Sequence, residues 1–239
     1  MESTQVTLFS GLAVRDILED TVLPAFTRAS GHEVAPTYEP TKVLTGLIAD
    51  GERPDLVLGV GGALEKLAAD GILDRPGLTP LVRSGIGVAT APGAQPPEVG
   101  TIDELVTAIR SARSVAYSRT GASGEHFAAL LDRFGIADEV NATATVVEKG
   151  FTAEALYDGR ADLAVQQVIE LASVGGGHQI RPLPTDAQHH VDLWLGHAPN
   201  ASVPARALYD FLVSTVAADA YRAAGLEVSV PGGGTVPMS

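Results

Sequence analysis

The chain contains no cysteine, which excludes disulfides, cysteine-ligated zinc and thiol nucleophiles while leaving the compartment open. Basic residues are scarce, 16 Lys and Arg against 29 Asp and Glu, for a formal charge of -13 at pH 7. That balance argues against nucleic acid or an anionic membrane as partner. It would also oppose the approach of an anionic ligand, so an anion site here needs a compact set of hydroxyls and backbone amides. No apolar run approaches the length of a transmembrane helix, and no membrane insertion is expected. Met1-Glu2-Ser3-Thr4-Gln5 enters a strand pattern without a basic n-region, an apolar h-region or a cleavage site. The sequence as given reads as cytoplasmic, or as a mature form whose signal peptide has been removed. What is plentiful is apolar surface: 45% of 239 residues, enough to core one large α/β domain or two small ones.

A strand-loop-hydroxyl-helix pattern recurs along the first third of the chain. Val6 to Phe9 reads as a strand with its turn at Ser10-Gly11, followed by a helix marked by Val14, Ile17, Leu18, Val22 and Phe26, bent near Pro24 and closed by Gly31. Val34 to Tyr38 is extended, and Val43, Leu44, Leu47 and Ile48 mark a helix capped by Thr41 and stopped at Gly51. Asp55 to Leu58 is an apolar run typical of a buried parallel strand, and Gly59-Val60-Gly61-Gly62 leads into a helix that ends at Gly71. Such alternation predicts parallel, doubly wound α/β structure with ligands bound outside the carboxyl ends of the strands.

The second part repeats the theme. Ile86 to Ala89 is a strand, with a domain crossover placed just before it, and Thr101-Ile102-Asp103-Glu104 is a capping box opening a helix. Thr143 to Val147 is a strand, Ala153 to Tyr157 a short helix, and Asp162 to Val165 a strand running into Gln166-Gln167. Val191 to Leu195 is a strand returning to the first half, and Ser202 caps a final helix with Leu208, Phe211, Leu212 and Thr215 on one face. The tail Pro231-Gly232-Gly233-Gly234 is expected to lack order. The layout is bilobed: two doubly wound αβ lobes, residues 1–84 plus 191–239 and residues 85–190, joined by two crossing segments, with the cleft between them as the default site.

Val115 to Phe134 is the stretch most informative about chemistry. A short apolar run ends in Ser118-Arg119-Thr120-Gly121-Ala122-Ser123-Gly124, and Phe127, Leu130, Leu131 and Phe134 then recur at helical spacing. Ser123 suits the N-cap, where free N–H groups and the helix dipole favour an anion. A capped connection without any ligand is the competing account. Gly121-Ala122-Ser123-Gly124-Glu125 approaches a nucleophile elbow, but the closing glycine is one residue early. Gly59-Val60-Gly61-Gly62 lacks the third glycine of a dinucleotide fingerprint and reads better as close backbone packing. His189-His190 would point to opposite sides of a strand, so neither a metal nor a cofactor is expected. Arg119 suits a bidentate carboxylate clamp, Glu125 complements the helix dipole, and His126 can exchange protons near neutrality.

With these residues assembled, the chain resembles the molybdate-binding-protein-like branch of the type II periplasmic binding proteins. The resemblance runs through FSGLAVRDILEDTVLPAFTRASGHEV, RPDLVLGVGGALEKLAADGIL, VRSGIGVATAPGAQPPEVGTIDEL and ADLAVQQVIELASV. Within that superfamily Ser118 to Gly124 and the Q-Q-x-x-E-L at Gln166 to Leu171 are similar to a divergent branch that includes aconitate isomerases, although Glu39-Pro40-Thr41-Lys42 and Arg119 depart from its pattern. The resemblance implies a small anionic ligand held by Ser10, Gly11, Thr41, Lys42, Ser118, Thr120, Gly121, Gln166 and Gln167. As an isomerase, the protein would shift a double bond in an unsaturated polycarboxylate using Arg119, Ser123 and a base, with His126 the first candidate and Glu125 the second. As a solute-binding protein it would need no base, and an ABC transporter permease would be its partner.

Overall fold

The computed structural model describes residues 5–148 and 150–229. The Pro231 to Gly234 tail, expected to lack order, lies outside the described residues. The chain divides into two compact units, residues 1–83 with 192–239 and residues 84–191. It crosses between them inside two strands rather than in loops.

In the first unit, β-branched and aromatic residues make β1 (Val6–Ser10), flanked in parallel by β2 (Val34–Tyr38) and β3 (Leu56–Val60). Helices Thr41–Ala49 and Gly61–Ala69 follow the second and third strands. Leu56, Val57 and Leu58 are wholly buried, which explains the unbroken apolar run: each such side chain contributes about 1.5–3 kcal/mol. The glycines at the end of β3 mark close packing, as their spacing implies. A Cβ on Gly59 would lie 3.0 Å from the Thr41 side chain, and one on Gly61 would lie 2.7 Å from Trp194 Nε1.

The first helical run is not simply bent at Pro24. A 3-10 turn (Leu12–Val14) and a short α-turn (Arg15–Ile17) lead into a π-turn over Leu18–Val22, before a regular helix over Leu23–Ser30. Leu23 N–H reaches back five residues to Leu18 O. Pro24 has no N–H to contribute to an α-type ladder, and the wide turn absorbs the missing bond. Gly31 closes the helix in the left-handed conformation at φ 73°.

The second unit is ordered β8-β4-β7-β5-β6, where β4 is Thr79–Thr90, β5 Val115–Tyr117, β6 Thr145–Val146, β7 Leu163–Gln167 and β8 Gln179–Pro182. Its core gathers Ile86, Val88, Leu105, Ile109, Phe127 and Leu131 around Tyr117. Tyr117 meets Phe127 edge-to-face at 5.2 Å, and its hydroxyl donates to Asn141 Oδ1.

Three expectations need correction. The sheets are mixed: β9 (His190–His197) runs antiparallel to β3, and β4 runs antiparallel to β7 and β8. The crossover before Ile86 is the middle of β4, which passes from one unit to the other between Arg83 and Ser84. Arg83 anchors that point through Nε and Nη2 to the two carboxylate oxygens of Asp192, at 2.9 and 3.2 Å. Finally, the C-terminal helix is two helices, Val203–Leu212 and Thr215–Ala223, because Ser214 caps a new start by accepting from Ala217 N–H. The chain ends its described part in β10 (Glu227–Val228), antiparallel to the first half of β4.

Candidate functional site

At the carboxyl ends of β5, β6 and β7, three segments of the second unit meet. Ser118 follows β5 directly and its Oγ accepts from the N–H groups of Thr120 and Gly121, at 3.2 and 3.3 Å. Thr120 Oγ1 donates to Glu148 O, so the Ser118 hydroxyl is the donor in its 3.2 Å contact with Thr120 Oγ1. These hydroxyls therefore shape the loop.

The helix over Ala122–Phe134 starts one turn earlier than the sequence suggests. Gly121, not Ser123, is its N-cap, with φ -88° and ψ 147°. Ser123 is a buried second-position residue. Gly121 O takes the N–H groups of Gly124 and Glu125, which leaves those of Ala122 and Ser123 at the open, electropositive end. Gly124 is what permits this approach: a Cβ there would sit 1.5 Å from Ser118 O. The helix start thus lies directly on the end of the strand, a geometry that suits an oxyanion and forbids any larger residue.

The other two segments are fastened together by Gln166. Its Oε1 accepts from Thr152 N–H at 2.8 Å and from Thr152 Oγ1 at 3.0 Å, while Nε2 donates to Gly150 O at 3.3 Å. Gln166 is an anchor for the Gly150–Thr152 turn rather than an open pair of donors. Gln167 caps the short helix Val168–Ser173, and its N–H donates to Glu170 Oε2 at 3.3 Å. Its own Oε1 is buried with no partner among the described residues.

Glu170 is the residue that sequence reasoning missed. It is 6% exposed, and burial pushes its carboxyl up to about 7, against a weaker opposing pull from the amides of Gln166 and Gln167. A carboxyl three residues after the capping glutamine, flanked by Val168, Ile169 and Leu171, was the available signal.

Arg119 is exposed, as is Glu125. His126 lies one turn inside the helix, where its Nε2 donates to Ala187 O at 2.9 Å and its ring stacks on His189 at 4.9 Å. This role is a tether to the segment before β9, and the base assignment made from sequence loses its footing. His178 is likewise structural, donating from Nε2 to Leu171 O and accepting at Nδ1 from Tyr157.

The first unit carries its own strand-end cluster. Ser10 is fully buried, its Oγ donating to Gly11 O, and the Gly11 N–H is spent on Leu58 O at 2.9 Å. Thr41 is not the N-cap; Pro40 holds that position, and Thr41 Oγ1 instead accepts from Val60 N–H at 3.1 Å. Lys42 is exposed in the first turn of that helix. Thr41 and Gly11 are neighbours, a Cβ on Gly11 lying 4.0 Å from Thr41 Oγ1.

A cavity of about 520 Å³ opens at the opposite end of β7, lined by Thr90, Glu98, Asp103, Glu104, Thr107 and Asp162. Its carboxylates make it unsuitable for an anion. Among the described residues no group of three or more His, Asp or Glu is placed to hold a metal, and no helix is long and apolar enough to cross a membrane.

Comparison with known proteins agrees with this geometry. An aconitate isomerase from Pseudomonas sp. is 30% identical over 233 residues, covering 94% of this chain and 88% of the relative. The periplasmic molybdate-binding protein of Azotobacter vinelandii superposes with a TM-score of 0.76 at 16% identity, covering 95% of this chain and 100% of that one. The sulfate-binding protein SubI of Mycobacterium tuberculosis does so with a TM-score of 0.71 at 18% identity, covering 93% and 86%. The two structures establish the α/β fold of the periplasmic binding proteins. The sequence profile of one family matches residues 6–227, and by that match the chain belongs to the bacterial extracellular solute-binding proteins.

Proposed function

We propose that this protein binds a small polycarboxylate at its hydroxyl-bearing strand ends and shifts a double bond in it, as an isomerase of the aconitate isomerase type. The observation that carries the reading is the match to the Pseudomonas aconitate isomerase along nearly the whole chain. The site chemistry supports it. A carboxylate seated at Ala122 and Ser123 receives backbone N–H donors and the positive end of a 13-residue helix. When the allylic proton leaves, charge spreads into the carboxylate held there, and fixed donors stabilise that charge without having to reorganise. Arg119, exposed beside the loop, supplies a flexible guanidinium for a second carboxylate.

A second reading has its own support: the family is described by solute binding, and under it the same donors hold an anion for an ABC transporter permease. The enzyme reading expects a cytoplasmic protein and the binding reading an exported one, which cell fractionation separates. The decisive experiment is incubation with trans-aconitate and related unsaturated di- and tricarboxylates in deuterated water, following the vinylic protons by NMR. Isomerisation with deuterium wash-in is expected. Its absence, together with tight molybdate or tungstate binding by calorimetry, would refute the enzyme and leave the binding protein.

A further inference from the structure

Glu170 stands apart from every other carboxylate in the second unit. Asp158, Asp162 and Glu139 form ion pairs on the surface with Arg160, Arg113 and Arg110. Glu170 is buried and faces amides. Its Oε2 receives the Gln167 N–H, and the side chains of Gln166 and Gln167 lie against the carboxyl. The charged groups on the elements packed against its helix are accounted for elsewhere. Arg181 on β8 is exposed, and His178 is engaged by Leu171 O and Tyr157. No cation neutralises this carboxyl.

Position gives the cluster its meaning. Gln166 and Gln167 end β7 beside the strand that ends in Ser118, and Gln166 binds the turn that follows Glu148, to which Thr120 is bonded. Glu170 therefore belongs to the same strand-end assembly as the helix start at Ala122. Gln167 Oε1, buried and lacking a donor among the described residues, is a second and independent sign. A fold optimised only for stability satisfies its buried acceptors; here one awaits a donor from a bound molecule or from a proton on the site.

We infer that Glu170 is the proton-transfer group of the isomerisation, removing the allylic proton and returning it one double bond away. This inference rests on the isomerase reading above. In the first half, the C–H bond of the substrate methylene breaks, an O–H bond forms on Glu170, and the electron pair enters the conjugated carboxylate system. In the second half, that O–H breaks, a C–H forms at the far end of the allylic unit, and the double bond settles in its new place. Atoms and electrons balance without oxidant, reductant or cofactor. A carboxyl that exchanges its proton near neutrality, as burial arranges here, is suited to both halves.

Glu170→Gln keeps the shape and removes the charge. In deuterated water with trans-aconitate, this variant is expected to lose about 100-fold or more in turnover. Its trans-aconitate affinity by calorimetry should stay within about threefold, since a neutral amide replaces a carboxyl that repels the ligand. The limb near pH 7 in the kcat/KM profile should vanish from the residual activity. Glu170→Asp guards against a folding failure: a retained carboxylate set further back should lower kcat and leave KM in place, and equal losses in both would overturn the assignment. A Glu170→Gln protein that isomerises within about tenfold of the parent would refute the role of Glu170 and leave the enzyme standing. A parent protein with no exchange at all would refute both.

Discussion

Burying Glu170 leaves a mark on stability that is measurable without any ligand. Its carboxyl is raised from 4.5 to about 7 by desolvation, so the folded protein retains a proton that the unfolded chain has already released. The contribution is full below pH 4.5 and is lost as pH rises through about 7, because the native state binds the extra proton across that window. Two and a half pKa units correspond to about 3 kcal/mol. Glu170→Gln has no proton to lose. Urea denaturation of both proteins at intervals from pH 4.5 to 8 should therefore show the variant gaining on the parent by about 3 kcal/mol, most steeply between pH 5 and 7. Two stability curves running parallel across this range would mean that the carboxyl is solvated, and the account of the Gln166-Gln167-Glu170 cluster would be wrong.

Two glycines of the Ser118 to Gly124 loop separate close packing from mere proximity. Gly124→Ala places a methyl group 1.5 Å from Ser118 O and should cost about 3 kcal/mol or more, whereas Gly121→Ala meets Ser118 Oγ at an ordinary 3.7 Å and should stay within about 0.5 kcal/mol; equal denaturation midpoints would contradict the packing described. Because the chain carries a formal charge of -13, association with an anionic ligand should accelerate as salt is added, the reverse of a basic anion binder. Stopped-flow rates at low and physiological ionic strength test this, and a rate that falls with salt would argue for a local positive field that the residues at this site do not supply.

Much of the fold is legible in the residues, and the errors have physical causes. The capping box at Thr101 and Glu104 forms as its spacing dictates, with Thr101 N–H on Glu104 Oε2 at 3.0 Å and Glu104 N–H on Thr101 Oγ1 at 3.3 Å. Gly31, Gly71 and Gly159 adopt the positive φ that ends a helix or turn. Thr41 and Ser123 mislead because the capping rule selects the hydroxyl nearest the apolar run. Here Thr41 is used to hold a strand end, and glycine or proline does the capping. Antiparallel β4 and β9 escape local patterning, since a strand buried on both faces reads alike in either direction. The anion-binding loop was visible as glycines and hydroxyls after a short strand. Glu170 was not, because burial is a property of the assembled unit and a lone glutamate three residues past a strand has no periodicity to betray it.

The π-turn near the N-terminus has a consequence for how this chain is compared with its relatives. Val14, Leu18, Val22 and Phe26 are all buried and spaced by four residues. In a uniform α-helix of 3.6 residues per turn such a ladder drifts by roughly 40° at each step and winds off the core face. The wider turn over Leu18–Val22 reverses the drift for one step and brings Phe26 back beneath Val14. In the ledger of insertions and deletions, this turn is one residue more than an α-helix would use. A homologue lacking Pro24 should carry a one-residue gap between positions 18 and 22, and an alignment that forces the two helices to match without it will misassign the core face of everything before Leu18.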